Sequence, residues 1–272
     1  MSRAHPTSWE TLAVEQTQEY DAKLVTLLEA LWGDGYLSPG GDEETALVLD
    51  GLDFRGARVL DIGSGTGGCA RFIHHRYGPA SVTGVDVEPG VVEAANAAAA
   101  AQGLTTVRFQ AVEPGPLPFP DASFDLVFSK DSIIHIADKH SVMAEVARVL
   151  APGGVFACSD WMKGDDLPRS AALEEYERLE GLGFGLASPD VYFAALRAAG
   201  FEQITYTDRT AWLAARTAAE LAELDGPLRA RLEASAGRDF LEHEIDVWRA
   251  LAVVTASGEL GAGHLRAARR AD

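Results

Sequence analysis

The sequence has few of the features that mark secreted, membrane-spanning or disulfide-bonded proteins. It holds only two cysteines in 272 residues, Cys69 and Cys158, which favours free thiols in a reducing compartment over a disulfide framework. No apolar run reaches the roughly 18 residues that a membrane span needs. The polar segment 1–18 lacks the apolar core of a secretory signal. We therefore expect a soluble, cytoplasmic protein that binds no membrane.

Positive charge is also scarce. The chain has 23 Lys and Arg against 41 Asp and Glu, which gives a formal net charge of −18. A negative field of this size repels polyanions, so nucleic acid is excluded as a natural partner. A small-molecule substrate, cationic or neutral, fits this charge. Acidity also favours solubility, and it leaves the oligomeric state open.

From Ala57 onward, short apolar or β-branched runs alternate with helical patterns, which predicts a doubly wound α/β fold. We expect one domain over 1–272, with a helical lid (1–52), a core (53–160), an inserted helical cap (161–200) and the C-terminal part of the sheet (201–272). The predicted strands are 58–62, 81–86, 107–110, 124–129, 155–160 and 203–207, with 264–269 pairing antiparallel to the last. The predicted helices are 19–32, 42–52, 69–77, 91–102, 141–149 and 190–199.

A glycine-rich segment follows the first predicted strand. In Asp61–Gly68, Gly63 and Gly65 let the backbone turn tightly and approach a ligand without a Cβ in the way. Such a loop alone suits NAD or FAD equally well. Asp86 ends the second strand, where a carboxylate can accept hydrogen bonds from both ribose hydroxyls of a nucleotide. These features predict a nucleotide cofactor without identifying it.

Asp61 narrows the choice of cofactor. A carboxylate there favours the ammonium of a methionine-type tail and repels the pyrophosphate of a dinucleotide, which disfavours a nicotinamide oxidoreductase. Together with 124–127 (Phe-Asp-Leu-Val) and 150–154 (Leu-Ala-Pro-Gly-Gly), the pattern resembles the class I S-adenosylmethionine-dependent methyltransferases. The resemblance implies a Rossmann-like, seven-stranded sheet and S-adenosylmethionine as cofactor, with S-adenosylhomocysteine as product. The expected cofactor contacts are Asp61, Gly63, Gly65, Asp86, Ser129, Ser38 and Glu113, the last being equally well explained as a solvated loop carboxylate.

Other segments resemble small-amine methyltransferases. Tyr20 with 32–41, and also 128–139, is similar to the phosphoethanolamine N-methyltransferases. Segments 159–163 and 258–264 are similar to the sarcosine/dimethylglycine N-methyltransferases. The resemblance implies that Tyr20 and His135 form a latch and catalytic pair over the substrate, with Asp131 contacting the amine.

The chemistry of an amine acceptor suits these residue types. A sulfonium methyl group is already activated, so transfer mainly requires positioning. The amine must present a free lone pair, and a base near neutral pKa such as His135 can take its proton. Without the family resemblance, a histidine in an apolar run is most often a core or capping residue. Aromatic residues at helical spacing more often belong to the core than to a binding site for a cation. The expected substrate contacts are Trp161, Tyr176, Arg178 and Tyr36.

The sequence departs from the phosphoethanolamine pattern where the phosphate binds. Glu180 and Leu182 stand where cationic or hydroxyl donors are expected, and Glu242 and Glu244 add more acid. We therefore predict N-methylation of a small amine, either sarcosine/dimethylglycine-like or a specialised metabolite, with phosphoethanolamine disfavoured. An O-methyltransferase of a small natural product and a non-catalytic S-adenosylmethionine-binding protein are the alternatives. No spacing of His, Cys and Asp predicts a metal site.

Overall fold

The computed structural model describes residues 20–165, 167–181 and 183–271. The first part of the predicted lid, residues 1–19, lies outside the described residues, as does Leu182. Within the described chain, Cys69 and Cys158 are both free thiols, as the sequence predicts. None of the described helices combines the length and the apolar composition that crossing a bilayer requires.

The core is a seven-stranded sheet with the order β3-β2-β1-β4-β5-β7-β6. The pairs among β1 to β5 are parallel, and β7 runs antiparallel to both β5 and β6. This order confirms the predicted fold class and the antiparallel closing strand. The strands are β1 (Arg58–Ile62), β2 (Ser81–Asp86), β3 (Val107–Ala111), β4 (Phe124–Lys130), β5 (Leu150–Lys163), β6 (Phe201–Asp208) and β7 (Leu260–Arg269).

Helices cover both faces of this sheet. Leu60 and Val127 belong to a buried cluster with α5 and α7, whereas Val59 and Leu126 belong to a cluster with α2, α3 and α4. Because successive side chains of a strand point to opposite faces, the two clusters lie on opposite sides of the sheet. The helices are α1 (Ala22–Trp32), α2 (Gly41–Leu49), α3 (Gly68–Tyr77), α4 (Pro89–Ala101), α5 (Lys139–Val149), α6 (Ala171–Glu180), α7 (Pro189–Ala198), α8 (Thr210–Leu224), α9 (Arg229–Ala236) and α10 (Arg238–Ser257).

A third buried cluster joins the lid to the cap. It contains Leu27 of α1 and Leu173 of α6, together with apolar residues of α8, α9 and α10. Segment 201–272, predicted as the C-terminal part of the sheet, contains strands only at its two ends. Three helices, α8 to α10, lie between β6 and β7. These helices pack on α1 and α6 as well as on the sheet. Their positions therefore depend on partners that are distant in the sequence.

Strand β5 also begins earlier than predicted. The predicted strand is 155–160, whereas β5 runs from Leu150 and includes Pro152-Gly153-Gly154. Its register with β4 shifts between Phe124 and Leu126, so the turn-forming residues lie within an irregular start of the strand. At Gly154 a Cβ would lie 2.8 Å from the carbonyl oxygen of Ala151.

One buried carboxylate fixes α2 to the sheet. Glu44 accepts hydrogen bonds from Arg209 Nε (2.8 Å) and Nη2 (2.7 Å) and lies 2.7 Å from His264 Nε2 on β7. Burial raises the pKa of Glu44, but the hydrogen bonds from His264 and Arg209 outweigh burial and hold the pKa below its usual range. The ionised form is therefore stabilised in the folded state, and it ties α2 to Arg209 and to β7.

We expect Glu44→Gln to lower the free energy of unfolding at pH 7 by about 3 kcal/mol, because it leaves the guanidinium of Arg209 without its carboxylate. Urea titrations measure the loss. The folded pKa lies below the unfolded one, so this stabilisation is present above the unfolded pKa and is lost as pH falls through the folded value. Glu43→Gln, on the exposed side of the same helix, is the control. Equal stability of the two variants at pH 7 would contradict the assignment.

Candidate active site

The carboxyl ends of β1, β2 and β4 meet behind the glycine-rich turn. Gly63 has a φ of 71°, and the amides of Gly63 and Ser64 donate to the carbonyl oxygen of Val85 at 2.8 and 3.0 Å. A Cβ at Gly63 would lie only 1.8 Å from Ser132 Oγ. Glycine is therefore required here twice, for the left-handed backbone and for the approach of the segment after β4.

Asp61 is a buried acid with one unpaired oxygen. It is 1% exposed, and its Oδ2, like the hydroxyl of Ser64, has no hydrogen-bond partner among the described residues. The pKa of Asp61 is raised to about 7, mainly by burial and also by the nearby Asp86, while Lys130 lowers it. A buried carboxylate in this state gains by pairing with a ligand cation. The residues thus fit the ammonium group of S-adenosylmethionine.

Asp86 lies at the end of β2, as predicted. Its Oδ2 accepts from the amide of Gly65 at 2.8 Å and its Oδ1 from the amide of Glu88 at 3.1 Å. Burial raises the pKa of the Asp86 carboxyl, and these backbone amides partly offset the effect. Glu113 follows β3 in an exposed loop, so its contact with an adenine group stays a prediction.

A lysine that the sequence analysis did not single out fixes the lid. Lys130 Nζ donates to Ser38 Oγ (2.6 Å), to the carbonyl oxygen of Pro39 (2.7 Å) and to Asp131 Oδ2 (2.9 Å). The predicted cofactor residue Ser38 thus lies on a lid segment tied to the end of β4. The only sequence signal was a lysine at the end of an otherwise apolar strand.

Ser129 lies beneath the glycine turn. It is 0% exposed, and its hydroxyl donates to the carbonyl oxygen of Ile62 at 2.9 Å. The hydroxyl therefore supports the end of β1, and its contact with a cofactor stays a prediction.

Asp131 adopts an unusual backbone conformation beside Lys130. Its φ is 50°, which is uncommon for a residue other than glycine and marks strain held by its surroundings. Its amide donates to the carbonyl oxygen of Ser159 at 2.8 Å, and its carboxylate pairs with Lys130. Contact between Asp131 and an amine stays a prediction, and the carboxylate is already partly neutralised.

His135 lies on a short 3-10 turn, Ile133–His135, directly after this segment. Its Nδ1 is 3.1 Å from the carbonyl oxygen of Gly183, so Nδ1 carries the proton and Nε2 keeps a free lone pair. The ring stacks on Phe184 with centroids 5.4 Å apart. Burial lowers the pKa of His135 below 6.5. The imidazole is therefore neutral at pH 7 and able to accept a proton.

An aromatic column extends from His135 into the cap. Phe184 stacks on Tyr176 with centroids 5.8 Å apart, and Tyr20 and Trp161 pack against the same cluster. The indole nitrogen of Trp161 is buried and has no hydrogen-bond partner among the described residues. The structure thus brings Tyr20, Trp161 and Tyr176 to one wall, with Phe184 as a member that the sequence analysis missed.

The same wall carries two buried acids. Glu244 of α10 is 8% exposed and lies near Glu180 of α6, since each of these helices packs on the other. Burial raises the pKa of Glu180 and of Glu244 to about 7. Neither acid has a cationic partner among the residues that the structure describes.

Two cations near this wall are paired elsewhere. The side chain of Arg178 is 64% exposed and pairs with Glu175, because residues two positions apart on a helix face different directions and Tyr176 takes the buried one. Contact of Arg178 with a substrate stays a prediction. Lys163 of β5 donates to Asp165 and to the carbonyl oxygen of Leu167.

Tyr36 lies in the lid and not in the aromatic column. Its hydroxyl donates to Asp42, and it lines a groove of about 610 Å³ between the lid and α8, together with Trp32 and Trp212. Its contact with substrate stays a prediction. Across the described residues no group of His, Cys, Asp and Glu is arranged to hold a metal ion.

Comparisons with known proteins agree with this geometry. Residues 59–154 match the methyltransferase domain family. Phosphoethanolamine N-methyltransferase 1 of Zea mays is 32% identical over 194 residues, which cover 71% of this chain and 38% of the relative. The sarcosine/dimethylglycine N-methyltransferase of Halorhodospira halochloris is 36% identical over 184 residues, which cover 65% of this chain and 63% of the relative. The chain thus spans less than two thirds of the length of either relative.

A solved structure has the same fold. It is phosphoethanolamine N-methyltransferase 2 of Haemonchus contortus in complex with phosphomonomethylethanolamine and S-adenosylhomocysteine, with a TM-score of 0.83 and 23% identity. The match covers 90% of this chain and 57% of that chain. The order of the strands, the domain match and both groups of relatives agree, and we conclude that residues 59–154 form a methyltransferase domain and that the chain has the fold of the class I S-adenosylmethionine-dependent methyltransferases.

Proposed function

We propose that the protein transfers a methyl group from S-adenosylmethionine to the nitrogen of a small amine. The observation that carries this proposal is His135, a neutral imidazole with its Nε2 free, placed one short turn after the strand end that adjoins the glycine turn. The relatives named as phosphoethanolamine and sarcosine/dimethylglycine N-methyltransferases support an amine acceptor.

Asp61, Ser64 and Asp86 would hold the cofactor at the carboxyl ends of β1 and β2. When bound, S-adenosylmethionine supplies a sulfonium methyl group that is already activated toward an amine lone pair. The protein then has two tasks, to orient the amine and to keep it unprotonated. Lys130 contributes to the first task by holding the lid segment that contains Ser38.

His135 performs the second task. Its Nε2 accepts the proton of the incoming amine, directly or through a water, while the carbonyl of Gly183 stabilises the Nδ1–H of the resulting imidazolium. The aromatic column of Phe184 and Tyr176 lies beside His135, and the π-systems of aromatic rings attract a cationic nitrogen. Methylation makes the acceptor nitrogen more positive, so this wall suits both substrate and product.

The two acids of the wall limit the charge that an acceptor can carry. Glu180 and Glu244 disfavour a phosphate or a carboxylate on the acceptor, because like charges repel. An amine whose remainder is neutral or carries a second positive charge suits the wall best. The acids therefore disfavour phosphoethanolamine more than sarcosine or dimethylglycine, because a carboxylate carries less negative charge than a phosphate.

A hydroxyl acceptor is the alternative, because a neutral histidine serves a phenol or an alcohol equally well. The buried acids favour the amine, since a neutral hydroxyl gains nothing from them. Product NMR that locates the new methyl group on nitrogen or oxygen decides between the two.

We expect Asp61→Asn to weaken S-adenosylhomocysteine binding by about 100-fold, because the amide cannot neutralise a buried ammonium. Isothermal titration calorimetry measures this. The folded pKa of Asp61 is raised, so the ionised acid lowers stability increasingly as pH rises from its unfolded pKa toward 7. The same variant should therefore melt higher than wild type at pH 8 and similarly at pH 4. Tight cofactor binding by the variant would rule out the assigned role.

His135→Gln is expected to reduce kcat by about 100-fold or more, since it removes the general base. Cofactor affinity should stay unchanged, because no described contact of His135 is made with the glycine turn. The kcat of the wild type should rise with pH as His135 loses its proton and then level off. The midpoint of this rise should lie below pH 6.5, since burial lowers the pKa of His135. His140→Gln, on the exposed start of α5, is the matched control. Full activity of His135→Gln would remove the proposed mechanism.

Glu244→Gln tests the acceptor class. For an acceptor with two amino groups we expect kcat/KM to fall about 10-fold, which corresponds to the loss of one charge interaction. For sarcosine the variant should be no worse than wild type. Glu174→Gln, on the exposed face of α6, should match wild type for every acceptor. A wild-type preference for phosphoethanolamine over diamines would contradict the acceptor class while leaving methyl transfer intact.

A further inference from the structure

Lys139 is a buried cation that the proposed chemistry does not use. It is the first residue of α5 and is 1% exposed. Its Nζ donates to three backbone carbonyl oxygens, those of Ile133 (2.7 Å), Ile136 (2.6 Å) and Gly185 (2.9 Å). Within the described chain no carboxylate lies at ion-pair distance from it. All three of its protons therefore serve the backbone.

These carbonyls belong to the two segments that meet at His135. Ile133 begins the 3-10 turn, Ile136 follows it, and Gly185 follows Phe184 in the cap loop. The amide of Gly185 also donates to the carbonyl oxygen of Ile134 at 2.7 Å. A Cβ at Gly185 would lie 2.6 Å from the Cα and the amide nitrogen of Ala137, so the two backbones touch and only glycine fits between them.

Asp160 and Tyr192 hold the turn from the sheet side. Asp160 Oδ1 accepts from the amide of Ile134 at 3.1 Å, and Oδ2 accepts from the hydroxyl of Tyr192 at 2.5 Å. Lys139 Nζ lies 5.2 Å from the centroid of the Tyr192 ring. The turn is thus fixed to β5 through Asp160 and to the cap loop through Lys139.

We propose that Lys139 is a positioning residue, which holds the turn of His135 against the cap loop so that the imidazole keeps its place on Phe184 and its bond to Gly183. This proposal rests on the catalytic role of His135 proposed above. Without the ammonium, three buried carbonyls would lose their donor, and the turn and the cap loop would separate.

Lys139 also acts on the charge of His135. Its positive charge lowers the pKa of His135 in the same direction as burial does, whereas Asp86, Asp131 and the carbonyl of Gly183 raise it. Burial lowers the pKa of Lys139 itself to about 8, while Asp160 and Cys158 raise it. At pH 7 the lysine is therefore mostly charged, and the imidazole beside it stays neutral.

The test compares Lys139→Met, which keeps the length of the side chain and removes its charge, with wild type and with His140→Gln. We expect kcat to fall at least about 10-fold, with S-adenosylhomocysteine affinity unchanged. The His135 titration, followed by NMR and assigned with His135→Gln, should move to higher pH, and the acid limb of the kcat profile should move with it. A purely structural lysine would not shift this titration.

Gly185→Ala provides a second variant that keeps the charge of Lys139 and separates the two backbones. It should lower kcat, leave cofactor affinity unchanged, and keep the His135 titration nearer to wild type than Lys139→Met does. The proposal would be overturned if folded Lys139→Met had wild-type kcat and an unshifted His135 titration. If Lys139→Met does not fold, wild-type kcat in Gly185→Ala would overturn it. If His135→Gln itself is fully active, the proposed function fails instead.

Discussion

The close approach of Ser132 to Gly63 is the contact on which the site depends. Glycine at this position leaves no Cβ between the end of β1 and the segment after β4. The cofactor turn and the turn of His135 can therefore share one edge of the sheet. A larger residue at position 63 would separate the two halves of the site, whatever side chains each half carried.

Buried acids with raised pKa values are the second organising feature. Asp61 at the cofactor turn, Glu180 of α6 and Glu244 of α10 lie largely out of solvent, and burial is the main reason that the pKa of each is raised to about 7. Glu44, by contrast, is paired with Arg209 and lies within hydrogen-bond distance of His264. Asp61, Glu180 and Glu244 lie where cationic ligands are proposed to bind, and ligand binding would relieve the cost of burying them.

Two lysines stand at either end of the segment from 130 to 139. Lys130 fixes the lid through Ser38 and Pro39, and Lys139 fixes the cap loop through Gly185. Both donate mainly to backbone carbonyls or hydroxyls and not to exposed acids. The turn of His135 between them is consequently tied to both additions to the core, the lid and the cap, by hydrogen bonds.

The sequence by itself determined the βαβ core and most of the cofactor site. The bounds of β1 and β2 agree with the alternation of apolar residues, and Asp61 and Asp86 lie at strand ends because parallel strands end at one edge of a sheet. These features depend on residues that are close along the chain. The family resemblance added His135 and the aromatic residues of the cap, which composition and spacing alone left open.

Only the tertiary structure decided which side chains face the site. Ser129 is buried beneath the turn through its hydrogen bond to Ile62, and Arg178 faces solvent because Tyr176 takes the side of α6 that packs on distant helices. The same holds for the helices between β6 and β7, and for Lys130 and Lys139, whose acceptors belong to the lid and the cap loop. No sequence pattern predicts which carbonyl oxygens a lysine will contact. Its role is therefore determined only when distant segments fold together.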